Sequence, residues 1–413
     1  MTINPHNPIT NTRAFGRDPE LVATMAETYI RALEERGIAT SPKHFPGDGV
    51  DDRDQHLVTS NNDLDVDTWE HTYAPVYRRA VAAGARTIMV GHIRQPALTR
   101  DLVPGVAPAD ILPASLAPEL VTGVLRERLG FHGMIVTDNS AMAGMTAVMS
   151  RRDALPRAIL AGCDMILGNV DVTEDFQILL DAVETHTIPP ARLDDAVRRV
   201  LAVKASIGLH QGPLRPGRER PDSRQENRWR TELAEDSVTL VKDTQSLLPL
   251  DPRRHRRALV YALGDQPTFY DPSGPFADHF AAGLRKRGVE VELRHVPGEG
   301  RSIEQTARLH RDFDVCIYFA NVRFLGNGNF LRLSWTPWQG PDAPRHVTTL
   351  PTVLVSIADP YLLQDMPMVK TAINGYTPTS ATVDACLAGL FGDIEFRGIS
   401  PVYPFAGHWD AAL

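Results

Sequence analysis

Up to about residue 208, short apolar runs alternate with stretches whose apolar positions recur at helical spacing. Asp18-Pro19-Glu20 opens the first helix with an acidic cap and a proline in the first turn, and the pattern runs to about Arg36. A strand is predicted over Ala39 to Phe45, a helix over Trp69 to Ala83, and a strand over Arg86 to His92. Leu116 to Leu129 reads as helix, Gly133 to Asp138 and Cys163 to Leu167 as strands, and Pro190 to Ile207 as a closing helix. Residues 210–235 are rich in Pro, Gly, Arg and Glu and are expected to be a linker. The alternation then resumes, with strands predicted over Ala258 to Leu263, Val289 to Val296, Val315 to Phe319 and Thr352 to Ser356. Helices are predicted over Phe276 to Arg287, Ile303 to Phe313 and Ser380 to Leu390.

Strand–helix alternation predicts parallel sheets covered by helices. In the first region polar residues stand at the carboxyl ends of strands: Lys43 and His44, His92, and Asp138. A (β/α)8 barrel keeps its active site there. A doubly wound open sheet places ligands in the same way, so position alone does not choose between them. Four strands stand out in the first 208 residues, where a full barrel needs eight in roughly 250 residues. The expected architecture is a catalytic (β/α)8 TIM-type barrel over 1–209, N-terminally incomplete, followed by an α/β sandwich domain over 236–413. No internal repeat or low-complexity tract is visible.

Composition narrows the function. The chain has 413 residues, a formal net charge of -8, 43% hydrophobic and 23% charged residues, and no basic stripe, so nucleic acid is not an expected partner. The richest basic stretch, Arg215 to Arg230, is interleaved with Pro, Asp and Glu and reads as solvated. Cys163, Cys316 and Cys386 are far apart in hydrophobic surroundings. That set suits buried thiols in a reducing compartment better than disulfides or a metal cluster. No run reaches membrane-spanning length, and Met1 to Thr12 lacks the apolar core of a signal peptide. The expectation for the chain as written is a cytoplasmic protein without cofactor, metal or membrane contact; a start upstream of Met1 would leave room for a signal peptide.

Two stretches carry candidate chemistry. In the first, Lys43-His44-Phe45-Pro46-Gly47-Asp48-Gly49 leads through Val50-Asp51-Asp52-Arg53 to Asp54-Gln55-His56. Proline and two glycines constrain this loop beside a strand end, which distinguishes it from a freely solvated one. Asp54 is placed to accept from one imidazole nitrogen of His56, fixing the tautomer and leaving the other nitrogen for proton transfer. In the second, Gly130-Phe131-His132-Gly133-Met134-Ile135-Val136-Thr137-Asp138-Asn139 is an apolar strand ending in a carboxylate. Asp138 is then either a nucleophile on a rigid element or, with Asn139 and Ser140, a cap for a following helix.

These segments resemble glycoside hydrolase family 3, in its β-N-acetylglucosaminidase branch. Asn11-Thr12-Arg13-Ala14-Phe15-Gly16-Arg17-Asp18-Pro19-Glu20 is similar to the family's Arg-Ser-Phe-Gly-x-Asp-Pro turn. The likeness continues through Gly91-His92-Ile93, Leu129-Gly130-Phe131 and Ala161-Gly162-Cys163-Asp164. In the second domain it takes in Val238-Thr239-Leu240-Val241-Lys242, Leu247-Leu248-Pro249-Leu250, Ala358-Asp359-Pro360-Tyr361 and Asn374-Gly375-Tyr376. The resemblance implies Asp138 as nucleophile, His56 as acid/base, and Asp54 as its partner. It implies Arg13, Lys43 and His44 as sugar-binding residues. The implied activity is retaining, exo-acting release of terminal β-linked N-acetylglucosamine from glycosides or cell-wall fragments, as in peptidoglycan turnover. Phosphate in place of water as acceptor, giving a phosphorylase, is the alternative. A β-glucosidase is disfavoured by the Asp54–His56 pair.

The chain departs from the family pattern twice. Asp48 stands where the family has a second histidine, in Lys-His-Phe-Pro-Gly-His-Gly, and is expected to alter loop docking or to disfavour phosphate. The family's early Asp-Gln-Glu-Gly-Gly segment has no counterpart, so two or three barrel units are expected to be missing, with apolar surface exposed. A rival from another class is therefore an inactive sugar-binding or interaction remnant. His92, Trp335 and Trp338 are noted without a role.

Overall fold

The computed structural model describes residues 1–212, 222–267, 274–297, 308–323, 328, 331–337 and 340–413. The chain separates into two compact units, one over Met1–Gly217 and the other over Arg218–Gly326 and Leu331–Leu413.

The first unit begins with helix α1 (Pro19–Glu34), whose cap Asp18 accepts from the Leu21 amide, as the acidic-cap and proline signal predicts. Helix α2 (Val66–Ala82) is capped in the same way by Asp65. Strands β1 (Thr87–Val90), β2 (Met134–Asn139) and β3 (Met165–Leu167) form a parallel sheet in that order. A helix wound in the wider π form, Glu119–Arg128, separates the first two strands in sequence, and α3 (Arg151–Ala161) separates the next two. Neighbouring strands thus follow chain order, as in a (β/α)8 barrel, where a doubly wound sheet would reverse at a switch point. Among the described residues the strands make an open arc.

The strand predicted over Ala39 to Phe45 is not continuous. Met89 N–H donates to Pro42 O (3.1 Å), Phe45 N–H to Met89 O (2.9 Å) and Gly91 N–H to Phe45 O (2.9 Å), with one isolated bridge, Phe45 to Val90. The segment lies along β1 as the fourth member of the arc. Pro42, which has no amide proton to give, contributes to its irregularity. Trp69, Tyr73 and Tyr77 of α2, one above another at i, i+4 and i+8, bury themselves against Phe45, Ile88 and Val90. Helices α4 (Val172–Glu184) and α5 (Pro190–Ser206) complete the unit. Val172, Phe176 and Leu180 on one, and Leu193, Val197 and Leu201 on the other, remain exposed.

In the second unit, helix α6 (Ser223–Ser237) occupies much of the segment expected to be a linker; 213–221 lie outside the described residues. Strands β4 (Thr239–Asp243), β5 (Arg257–Leu263), β6 (Glu290–Val296), β7 (Val315–Ala320), β8 (Thr352–Ser356) and β9 (Thr371–Asn374) form a six-stranded sheet in the order β4-β9-β8-β7-β5-β6. All neighbours are parallel except β4 against β9. Side chains alternate between two apolar layers: Val260, Ile317 and Val355 enter one, while Leu259, Tyr261, Cys316 and Leu354 enter the other. Helices α7 (Ala277–Lys286) and α8 (Ser380–Phe391) supply Phe280, Leu284, Leu387 and Leu390 to the first layer. Runs that are apolar throughout, rather than alternating, follow from burial on both faces. The helix predicted over Ile303 to Phe313 lies partly outside the described residues, and Leu309–Arg311 is a single 3-10 turn. Trp338 lies outside them too. All three cysteines are free and buried.

The base of β2, the strand that ends at Asp138, is anchored electrostatically. The buried Asp164 carboxylate accepts from the Ile135 amide (2.9 Å), Arg126 (2.6 Å), Arg192 (2.7 Å) and Arg199 (3.4 Å). Its own amide returns a bond to Ile135 O (2.7 Å). Removing that carboxylate leaves the partly buried Arg126 without its ion-pair partner and Arg192 and Arg199 with Asp195 alone. Asp164→Asn is expected to lower the stability of the full chain by about 3 kcal/mol in urea denaturation. A change under about 1 kcal/mol, the scale of an exposed pair, would show that the cluster does not anchor β2.

Candidate active site

The loop after Phe45 is shaped by two glycines and pinned by α2. Gly47 and Gly49 have φ of +139° and +106°, a region that side chains disfavour. A Cβ on Gly47 would also sit 2.6 Å from the Tyr73 ring. The Trp69 indole donates to Pro46 O (2.7 Å), Asn62 to Gly47 O (3.0 Å), and the Tyr73 hydroxyl to Asp48 O (2.6 Å). The aromatic stripe that builds the core of the unit therefore also fixes the loop.

Two imidazoles come out of this loop in different states of engagement. Asp54 is fully buried, and its Oδ1 accepts both the His56 amide (2.8 Å) and His56 Nδ1–H (2.6 Å). A carboxylate only accepts, so Nδ1 carries the proton and Nε2 faces away from Asp54. The His56 side chain is about one-third exposed. The Asp54 hydrogen bond raises its pKa above the ordinary imidazole value, burial opposes this, the charges of Asp54 and Asp138 add to the rise, and Arg13 subtracts from it. Both Asp138 and Arg13 thus act electrostatically on His56.

His44 is buried, and both of its ring nitrogens face carboxylates: Nδ1 lies 3.1 Å from Asp48 Oδ2, and Nε2 lies 3.3 Å from Asp138 Oδ2. The residue expected to grip sugar has its polar atoms engaged inside the protein. Asp48, the departure from the family motif, also accepts from Gly49 N–H (2.9 Å) and Gln55 Nε2 (3.1 Å). Asp48 thus ties the loop to His44, Gly49 and Gln55. Sequence reasoning missed the His44–Asp48 contact, although the spacing of i and i+4 in a glycine-punctuated loop is its only local signal.

Asp138 ends β2 with its Oδ1 accepting the Asn139 amide (2.7 Å). It caps no helix: the turn Ala143–Thr146 has Met142 at its cap position, and α3 is capped by Ser150. His92 is fully buried, with Nδ1 bonded to Ser115 Oγ (2.8 Å) and Nε2 to Asn139 O (3.0 Å). Burial lowers its pKa. It secures the strand end beside Asp138, with no nitrogen left for a ligand. Arg13, Lys43, His44 and Asp48 line a cavity of ≈ 200 Å³ whose other walls include Phe15, Val22, Tyr73 and Tyr77. Neither His56 nor Asp138 lines it directly; His44 joins it to Asp138.

Residues 1–203 match the glycosyl hydrolase family 3 N-terminal domain. A protein of Cellulomonas fimi named β-N-acetylglucosaminidase/β-glucosidase is 43% identical over 424 residues, an alignment covering 100% of this chain and 74% of the relative. A solved structure titled β-glucoside phosphorylase BglX superposes with a TM-score of 0.92 at 41% identity, covering 100% of this chain and 74% of its own. A family 3 β-N-acetylglucosaminidase from Paenibacillus has the same fold, with a TM-score of 0.79 at 23% identity, covering 97% of this chain and 74% of its own. The first unit is thus a TIM-like domain, the second an α/β sandwich, and the chain belongs to glycoside hydrolase family 3, as a glycoside-cleaving enzyme.

Proposed function

We propose that the chain is a retaining, exo-acting β-N-acetylglucosaminidase, with its chemistry in the first unit. The observation that carries this reading is the 2.6 Å bond from His56 to the buried Asp54, with Asp138 near enough to raise His56 further. Asp138 attacks the anomeric carbon as the bond to the leaving oxygen breaks, through an oxocarbenium-like transition state. His56 gives its Nε2 proton to that oxygen. In the second step neutral His56 takes a proton from the acceptor, whose oxygen replaces Asp138 on the sugar. Arg13 and Lys43, at the cavity, are assigned to sugar hydroxyls or a cell-wall substituent. N-acetylglucosamine is favoured over glucose by the Asp-x-His pair and by the first part of the Cellulomonas fimi relative's name.

Phosphate as the second acceptor is a rival reading with an observation behind it, the 41% identical β-glucoside phosphorylase. A neutral imidazole does not repel an incoming anion as a second carboxylate would, and Arg13 and Lys43 are cationic. Nitrophenyl β-glycosides of N-acetylglucosamine and of glucose, each with and without phosphate, separate the readings. Free N-acetylglucosamine at a rate indifferent to phosphate is the expected result; sugar 1-phosphate as main product would install the phosphorylase instead.

Asp138→Asn is expected to abolish turnover, and undiminished kcat would remove the nucleophile assignment. His56→Ala is expected to slow an unactivated alkyl glycoside about 10²–10⁴-fold. A dinitrophenyl glycoside, whose leaving group needs no proton, should be far less affected in its first step. Equal losses on both substrates would exclude an acid role.

The pH dependence has a definite sign. Because the folded pKa of His56 is raised, its acid form persists above the ordinary value of about 6.5. The Asp54–His56 pair stabilises the fold fully below that value, and the contribution is lost as pH rises through the raised one. In Asp54→Asn, the His56 titration followed by NMR and the alkaline limb of kcat/KM should both move down. A limb that stays in place would dissociate it from His56.

A further inference from the structure

The loop that carries the Asp54–His56 pair has no buried apolar side chain to hold it down. Of residues 51–57 six are polar, and the seventh, Leu57, is 39% exposed. Asp54 and Gln55 are the buried members of this run, both fully so. Hydrophobic burial cannot dock such a segment, and polar side chains leave water only where they find partners. Asp54 Oδ1 serves His56 within the loop. The Gln55 side chain reaches out of it: Oε1 accepts the His92 amide just beyond β1 (3.0 Å), and Nε2 donates to Asp48 Oδ2 (3.1 Å). A backbone N–H only donates, so the carboxamide oxygen faces His92 and its nitrogen faces Asp48. Asp48 suits that nitrogen. Burial would raise its carboxyl, but the hydrogen bond and charge of His44, with its other neighbours, outweigh burial and hold it below the usual range.

Main-chain bonds continue the seam. Gly144 N–H donates to Gln55 O and Ala143 N–H to His56 O, each at 3.2 Å, and the Thr59 hydroxyl donates to Gly144 O (2.9 Å). A Cβ on Gly144 would lie 2.5 Å from Gln55 O, so this approach requires glycine. Residues 143 and 144 follow closely on β2, whose tip bears Asp138. Gln55 therefore joins the loop to the Asp48 turn, to the end of β1 and to the segment after β2.

We propose that Gln55 is a positioning residue for His56: its side-chain amide docks the loop on the His92 amide and on Asp48, and so fixes where the imidazole meets the leaving oxygen. This rests on the acid/base role assigned to His56 above. Proton transfer to that oxygen needs the ring within hydrogen-bond reach, and a loop without an apolar anchor does not ensure this by itself. Glutamine supplies a donor and an acceptor on one side chain. Glutamate at 55 would keep an acceptor for His92 and set a second carboxylate against Asp48. Methionine would keep the length and lose both bonds.

The test compares Gln55→Met and Gln55→Glu in the full chain on an alkyl and a dinitrophenyl β-N-acetylglucosaminide, with His56→Ala alongside. Both variants should lose about 10²-fold in kcat/KM on the alkyl glycoside, the scale of an ångström of misplacement, and little on the dinitrophenyl one. Gln55→Met should cost nothing more in the His56→Ala background. The same loss on both substrates means a merely structural role and overturns the proposal. So does an unchanged alkyl activity, or a further loss once His56 is gone. Where His56→Ala itself shows no dependence on the leaving group, the acid/base reading falls and the proposal with it. Hydrogen exchange over residues 51–58 reads the docking apart from catalysis. Exchange there should quicken in both variants while α1, α2 and the six-stranded sheet keep their protection, which also shows that the variants fold. Where Gln55→Met loses protection throughout, Gln55→Glu, which keeps the His92 contact, supplies the comparison. Unchanged protection over 51–58 refutes the proposal even where His56 proves to be the acid.

Discussion

The constraint that organises this site is the burial of three carboxylates in one small region. Asp48, Asp54 and Asp138 are 7%, 0% and 8% exposed. Negative charges withdrawn from water are costly unless each finds a donor or a cation, and clustering like charges compounds the cost. The loop meets this with imidazoles. His44 serves Asp48 and Asp138, and His56 serves Asp54, while backbone amides of Gly49, Asn139 and His56 supply further donors. Without these pairings the strand tip would be forced to protonate its carboxylates or to open to solvent.

Such pairings require backbone held to within a fraction of an ångström. Opposite parts of the first unit provide that rigidity by different means. At the base of β2, Asp164 and its arginines tie strand to helix by charge. At its tip, His92 locks the Asn139 carbonyl and the α2 aromatics clamp the Gly47–Asp48 turn by hydrogen bonds and steric fit. The same Tyr73 ring that fills the core rules out any side chain at Gly47, so packing and site geometry have a common origin.

Much of this was legible from residue order, for identifiable reasons. Asp138 at a strand end and the Asp54-x-His56 pair follow from local geometry, which short-range sequence encodes well. The His44–Asp138 contact joins residues 94 positions apart in sequence, and only the alignment of the 40–45 segment with β1 and β2 creates it. Helix α3 is not legible in the sequence because it is buried on several sides and contains Pro156, so it has no amphipathic stripe. Helix α6 reads as a linker in the sequence because it is crowded with charge; its buried contact is confined to Ala234. The π-wound helix at Glu119–Arg128 begins later than its apolar pattern suggests, because Pro118 marks the turn of entry.

The choice of a histidine at position 56 follows from the same charge constraint. A glutamate there would place a fourth carboxylate beside Asp54 and near Asp138, adding like-charge repulsion to the cluster. An imidazole alternates between cationic and neutral forms, so the site never gains negative charge as the proton leaves. In the proposed double displacement Asp138 is esterified after the first step and its charge is gone.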